Sequence, residues 1–274
     1  MKNSFLSAFM LVTLSTCTMH AKAETLAVSL DSNIGVIESY YTSTLAEGNV
    51  VTVTVNAPGT FAQALLSQIG AWSDVEELTV IGKLNDTDLG YLSRLKNVTK
   101  IDLSQTDIKS IKGCNGLTFL KHILLPTTVV EVQSSAFEGC SSLTGIDIPN
   151  TKTIGGGAFR NCVALTSVSL PAATSIGDYA FENCKALTSV SLPAATSIGG
   201  GAFRNCDALT SVSLPAATSI GDYAFYSCDA LTSVSLPAAT SIGDYAFYSC
   251  YALKSITLPT TLQFIGDNAF QSCI

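Results

Sequence analysis

The stretch "SLPAATSIGDYAFENCKALTSV" occupies residues 169–190, and at Ser191 the chain begins to repeat it. Aligned on its cysteine, the phrase recurs as "IGGGAFRNC" (154–162), "IGDYAFENC" (176–184), "IGGGAFRNC" (198–206), "IGDYAFYSC" (220–228 and 242–250) and "IGDNAFQSC" (265–273). A degraded copy, "EVQSSAFEGC", stands upstream at 131–140. Cysteines therefore fall at 140, 162, 184, 206, 228, 250 and 273, at intervals of 22 five times and then 23. A fixed period of this size is the mark of a solenoid whose units contact only their neighbours.

One unit shows how the stack would work. In "LTSVSLP" (187–193) the apolar residues Leu187, Val190 and Leu192 keep leucine-rich-repeat spacing, with a short strand at the end. Alternation sends Val190 inward and Ser189 and Ser191 outward, and Pro193, lacking an N–H, stops the pairing. Ile198 returns the chain to the core, after which Ala202, Phe203 and Cys206 fill the interior beside Leu209. No unit can bury this face alone, whereas stacked units share one core. The expected fold is an α/β leucine-rich-repeat solenoid with a parallel β-sheet on its concave face and an α/β N-terminal cap.

Upstream, "NVVTVTV" (49–55) alternates as a strand. "GTFAQALLSQIG" (59–70) places Phe61, Leu65, Leu66 and Ile69 on one helical face, with Thr60 as the N-cap and Gly70 as the stop. Val80, Leu103 and Leu125 then follow at spacings of 23 and 22, with a helical turn between Asp88 and Leu95. Before all of this, Lys2, the apolar run 5–14 and the Ala21-x-Ala23 pattern read as a signal peptide cleaved before Glu24. The alternative is a lipid anchor on Cys17. The expected divisions are 1–23 signal peptide, 24–76 N-terminal cap and 77–274 solenoid, with ordinary units over 77–116 and the cysteine-bearing units over 117–274.

The unit "LTSVSLPAATSIGDYAFYSC" (231–250) resembles the BspA-like, Treponema pallidum-type leucine-rich repeat, whose pattern is L-x-x-I-x-I-P-x-x-V-x-x-I-G-x-x-A-F-x-x-C. It departs from that pattern by one residue fewer between proline and isoleucine than Pro259 to Ile265, which should trim the arc and leave the ladder intact. The segment from the first strand to "IDLS" is similar to the N-terminal capping region of secreted Bacteroidetes members. The resemblance implies a secreted or surface-displayed protein that adheres to host extracellular proteins, glycans or other bacterial surface proteins. No matching cap is apparent at the C-terminal end, so an envelope component that assembles through that edge is the alternative.

Chemistry is hard to find. Charged residues are 13% of the chain against roughly 25% ordinarily, the net charge is −7, and no basic cluster suits a nucleic-acid partner. Beyond the leader no apolar run is long enough for an integral membrane segment. "IGGGAF" lacks the Gly-Lys-Ser/Thr of a phosphate loop, and Asp86 with Asp88 supplies too few oxygens for calcium. The sequons at Asn85 and Asn97 mean little in a bacterial chain. Of the two histidines only His122 lies outside the leader, one possible base for seven cysteines. Stacked cysteines would sit about 4.8 Å apart with parallel Cβ vectors, which suits neither a disulfide nor a tetrahedral metal. They are expected to be buried filling, with bridges between neighbours or to Cys114 as the alternative. The expectation is a protein that is not an enzyme and carries no cofactor or metal.

What remains is surface. The strands project Ser167 and Ser169, Ser189 and Ser191, Ser211 and Ser213, Ser233 and Ser235, and Ser255 and Thr257 as two hydroxyl columns. Tyr179, Tyr223 and Tyr245, with Tyr226, Tyr248 and Tyr251, are expected along the turns or convex edge. Both sets are candidate ligand contacts. Serines copied by duplication and tyrosines that merely pack over the stack are the structural alternatives.

Overall fold

The computed structural model describes residues 45–46 and 49–273, so the signal peptide, its cleavage point and Cys17 lie outside the described residues. Valine and threonine alternate over Val50–Val55, and burial alternates with them. This strand pairs antiparallel with Leu45–Ala46 and parallel with Glu77–Gly82, which continues through Lys100–Thr106 to His122–Leu124. Helix α1 spans Phe61–Leu66 and α2 spans Asp86–Gly90. Together with short 3-10 turns at 72–74 and 92–94, they are the only helix among the described residues.

Helix α1 is shorter than the apolar pattern suggests. It buries Phe61, Ala64 and Leu65, while Leu66 is exposed, Ile69 lies past its end and Gly70 does not terminate it. Thr60 holds the N-cap place, yet its hydroxyl donates to the Ala57 carbonyl (2.7 Å). The cap comes instead from the fully buried Asp88. Its carboxylate accepts the amides of Phe61 (3.0 Å), Gly59 (2.6 Å) and Asn85 (3.0 Å). One buried charge satisfied by three N–H groups thus binds α2 to the start of α1. Asp86 instead pairs with Lys112 at 2.8 Å, and that hydrogen bond lowers its pKa.

Beyond residue 110 the turns build two parallel ladders. Four Ser-Val-Ser strands, at 167–169, 189–191, 211–213 and 233–235, pair in register, with valine inward and both serines exposed. Single bridges, Asp147 to Ser169 and Ser235 to Thr257, flank them. Gly145 and Asp147, poor strand formers, separate this ladder from the N-terminal sheet. A second ladder, unforeseen as such, runs unbroken through eight strands from Ser110–Ile111 to Phe264–Ile265. The extra residue before Ile265 leaves this pairing intact.

The Ala-Phe turn forms a third bonded row. Phe159 donates to Ala180, Phe181 to Ala202 and Phe203 to Ala224, each at 2.7 Å. Phe137, Phe159, Phe181, Phe203, Phe225, Phe247 and Phe270 consequently form one stack with centroids 5.1–5.3 Å apart and planes within 7°. The Ile-Gly glycine permits this closeness, since a Cβ on Gly199 would lie 2.6 Å from the backbone of the preceding turn. Phe203→Ala is expected to cost about 3–5 kcal/mol, read as an earlier urea midpoint. Gly199→Ala should destabilise too, although it deletes no contact.

Candidate functional site

Hydroxyls on the ladders divide into two populations. Thr166, Thr188, Thr210 and Thr232 each donate to the carbonyl of the equivalent threonine one turn back (3.0–3.3 Å). Thr196, Thr218 and Thr240 do the same beside the second ladder (2.9–3.2 Å). These threonines brace the stack. Ser167, Ser169, Ser189, Ser191, Ser211, Ser213, Ser233, Ser235, Ser255 and Thr257 are all exposed, and among the described residues none of their hydroxyls bonds within the chain. The structure brings these ten onto one face. Where the ladder thins to a single bridge, a shallow cleft of about 440 Å³ opens, lined by Ser235, Thr257, Pro237, Pro259 and Thr260 with Val234 and Leu236.

The tyrosines stand elsewhere, on the Ala-Phe turns. Tyr179 and Tyr223 are exposed and Tyr245 is half-buried. All three sit in the left-handed region (φ 57°, 58° and 54°), where equivalent turns have Gly157, Gly201 and Asn268. A bulky side chain costs about 1 kcal/mol or more there. Tyr223 stacks on Tyr245 (5.0 Å) and Tyr226 on Tyr248 (5.1 Å), while Tyr179 leans its ring against Gly201.

Next along the turn is a charge ladder that reading by repeats alone passes over. Glu138, Arg160, Glu182 and Arg204 follow one another, each next to its phenylalanine. Glu182, with its side chain 8% exposed, lies 2.8 Å from Arg160 Nε and 3.9 Å from Arg204 Nη1. Neither contact is a well-aimed hydrogen bond, so charge holds the pairs. In-register copies of one charge would repel, and alternating sign removes the problem. Arg204 then passes its charge to the face of Tyr226, 5.2 Å away. The column after cysteine does less well: Lys185 pairs with Asp207 at 3.8 Å, but Asp229 follows Asp207. Burial and that neighbour raise the Asp229 pKa.

The eight described cysteines are free thiols, and all but Cys273 are buried. They are more than filling. Each thiol from Cys162 to Cys273 donates to the carbonyl of the phenylalanine one turn back, at 3.1–3.2 Å. That carbonyl already accepts the cysteine amide of its own turn, as Phe159 does from Cys162 at 3.1 Å. Cysteine therefore fills the column and occupies the second lone pair of a buried carbonyl. Burial pushes the thiol pKa of Cys140, Cys184 and Cys250 up to about 12. At these buried positions the thiolate that nucleophilic chemistry needs is disfavoured.

A stack with one leucine-rich strand per turn, shared in-register columns and turns in place of helices defines a leucine-rich-repeat solenoid. The family model "BspA type Leucine rich repeat region" matches residues 112–219 and 174–274 in six copies, together more than half of the chain. The chain belongs to that family. Among solved structures it is similar to a leucine-rich repeat protein from Eubacterium ventriosum (15% identity, 86% of this chain and 93% of that one, TM-score 0.43). It is also similar to one from Bacteroides ovatus (19%, 88% and 93%, 0.38) and to the T. pallidum leucine-rich repeat protein (19%, 78% and 88%, 0.37). No curated protein matches the sequence.

Two measurements probe these columns. In native protein at mildly alkaline pH, a thiol reagent is expected to modify Cys273 first and the buried cysteines only on unfolding; fast labelling of Cys184 would contradict the packing. Glu182→Gln is expected to destabilise by about 1–2 kcal/mol, the exposure of both arginines screening the pairs. Asp229→Lys, by the same reasoning, should stabilise by a few tenths of a kcal/mol.

Proposed function

We propose that the chain is an exported, non-enzymatic binding module that lays its serine ladder along an extended partner. The partner classes are a host extracellular protein, a glycan, or a protein on another bacterium. One observation carries this reading: the threonine hydroxyls are consumed by the stack, whereas the ten outward hydroxyls beside them are unengaged, exposed and in register. A hydroxyl donates and accepts, so an array of them suits a polymer with its own repeat of polar groups. Each contact is weak, and repetition supplies avidity. The leader sequence supports export, and among the described residues no helix is long and apolar enough to cross a membrane.

A second reading, assembly within the envelope, has one observation in its favour. The last described turn exposes Leu258, Phe264 and Ile265. Light scattering on the mature chain at high concentration tests it, and a clean monomer would remove it.

The serine face is tested on a glycan and matrix-protein array. Ser189→Arg, Ser191→Glu, Ser211→Glu and Ser213→Arg place opposite charges across the pairs 189–211 and 191–213, so the ladder should still close. Array binding by the wild type that this folded variant loses is the expected result; undiminished binding by the variant refutes the proposal.

A further inference from the structure

The concave sheet is interrupted at one turn. His122–Leu124 is the last strand of the N-terminal sheet, and the Ser-Val-Ser ladder starts at 167–169. Residues 144–148, Thr-Gly-Ile-Asp-Ile, lie between them and supply the single bridge from Asp147 to Ser169. Among the described residues no backbone amide from Thr144 to Ile146 donates to the turn before it. The amides of Thr188, Thr210 and Thr232, by contrast, each donate to the threonine one turn back at 2.9–3.2 Å. Ile146 is half-buried, while Ile123 before it and Val168, Val190 and Val212 after it are buried.

The other two sides of the same turn are closed. Glu131–Val132 pairs with Thr153–Ile154. The amides of Ser135, Phe137 and Gly139 donate to Gly156, Ala158 and Arg160 at 2.8–2.9 Å, and Phe137 stacks on Phe159 at 5.2 Å. The sequence accounts for the open side. Closing that rung in register would set Gly145 beside His122 and Asp147 beside Leu124. Glycine loses the most entropy when fixed in a strand, and aspartate is depleted there. A carboxylate facing the exposed Leu124 adds no attraction. The seam also divides two chemistries. Before it the concave columns carry Glu77, Lys100 and His122, and Thr79, Asp102 and Leu124; after it they carry serine.

We infer that residues 144–148 are a hinge, with the second ladder and the phenylalanine stack as its axis. The block up to Leu124 tilts against the serine ladder and changes the angle between the charged and hydroxyl halves of the concave face. A turn bonded on two sides and free on the third has one low-cost motion, in which the free edges part while the axis stays bonded. This does not depend on the serine-face reading.

Hydrogen exchange followed by mass spectrometry on the mature chain tests it first. Amides of 144–147 should exchange about tenfold or more faster than those of 189–191, while 153–154 and 158–162 stay as slow as their downstream copies. Equal protection at 144–147 and 189–191, or equal loss through 153–162, overturns the inference. Gly145→Ser, Ile146→Val and Asp147→Ser together write the downstream rung into the seam, and exchange at 144–147 should slow to the level of 189–191. Conversely, Ser189→Gly with Ser191→Asp should open a second seam and speed exchange there. Either folded variant exchanging like the wild type also overturns it. The motion itself is read by pulsed electron resonance between spin labels at Lys100→Cys and Ser211→Cys, with Cys273→Ser so that the remaining native thiols are buried. The distance distribution should be broad in that background and narrow once the seam is rewritten. The same width in both refutes the hinge.

Discussion

Every residue beyond the first few turns sits opposite its own copy one turn away, about 4.8 Å distant. This single constraint decides which side chains the repeat can hold. Flat aromatics gain from it, and the phenylalanines stack nearly parallel. Amides gain as well: Asn183 donates to Asn161 and Asn205 to Asn183, both at 2.9 Å. Like charges lose, and the chain answers by alternating Glu138, Arg160, Glu182 and Arg204 along one column. The near-identical units are therefore not interchangeable. Those ending in "AFRNC" and "AFENC" come in an order that electrostatics favours.

Much of the fold was legible before any coordinates. Cysteine spacing gave the period, and alternation around Val190 gave the inward face, because both reflect one buried column recurring at a fixed interval. The serines of the outer columns were equally legible, since a strand has only two faces. Helix α1 was read a turn too long because its apolar pattern continues to Ile69 after the backbone has left the helix. Asp88 as its distant cap could not be read at all, since the contact spans 27 residues of chain from Phe61.

Other features were present in the sequence but needed the register to acquire meaning. Threonine looks like an ordinary exposed strand residue until its hydroxyl is seen on the preceding turn's carbonyl. The asparagine or serine before each cysteine from Cys162 onward marks a left-handed residue, as at Asn183 (φ 60°) and Ser227 (φ 53°). The second ladder hid in two-residue strands, too short for any periodicity to register. Tyrosine in "GDY" shares a position with glycine in the aligned repeats, but only the backbone reveals that the position is left-handed.

The thiol–carbonyl column has a consequence for how such a protein can change length. In an oxidising compartment an added unit normally brings a cysteine that must find a partner, and odd numbers invite mispairing. Here each thiol from Cys140 to Cys250 is buried and occupied by the turn behind it. A unit can be gained or lost by duplication without leaving an orphan sulfur, so the cysteines themselves set no limit on the number of copies.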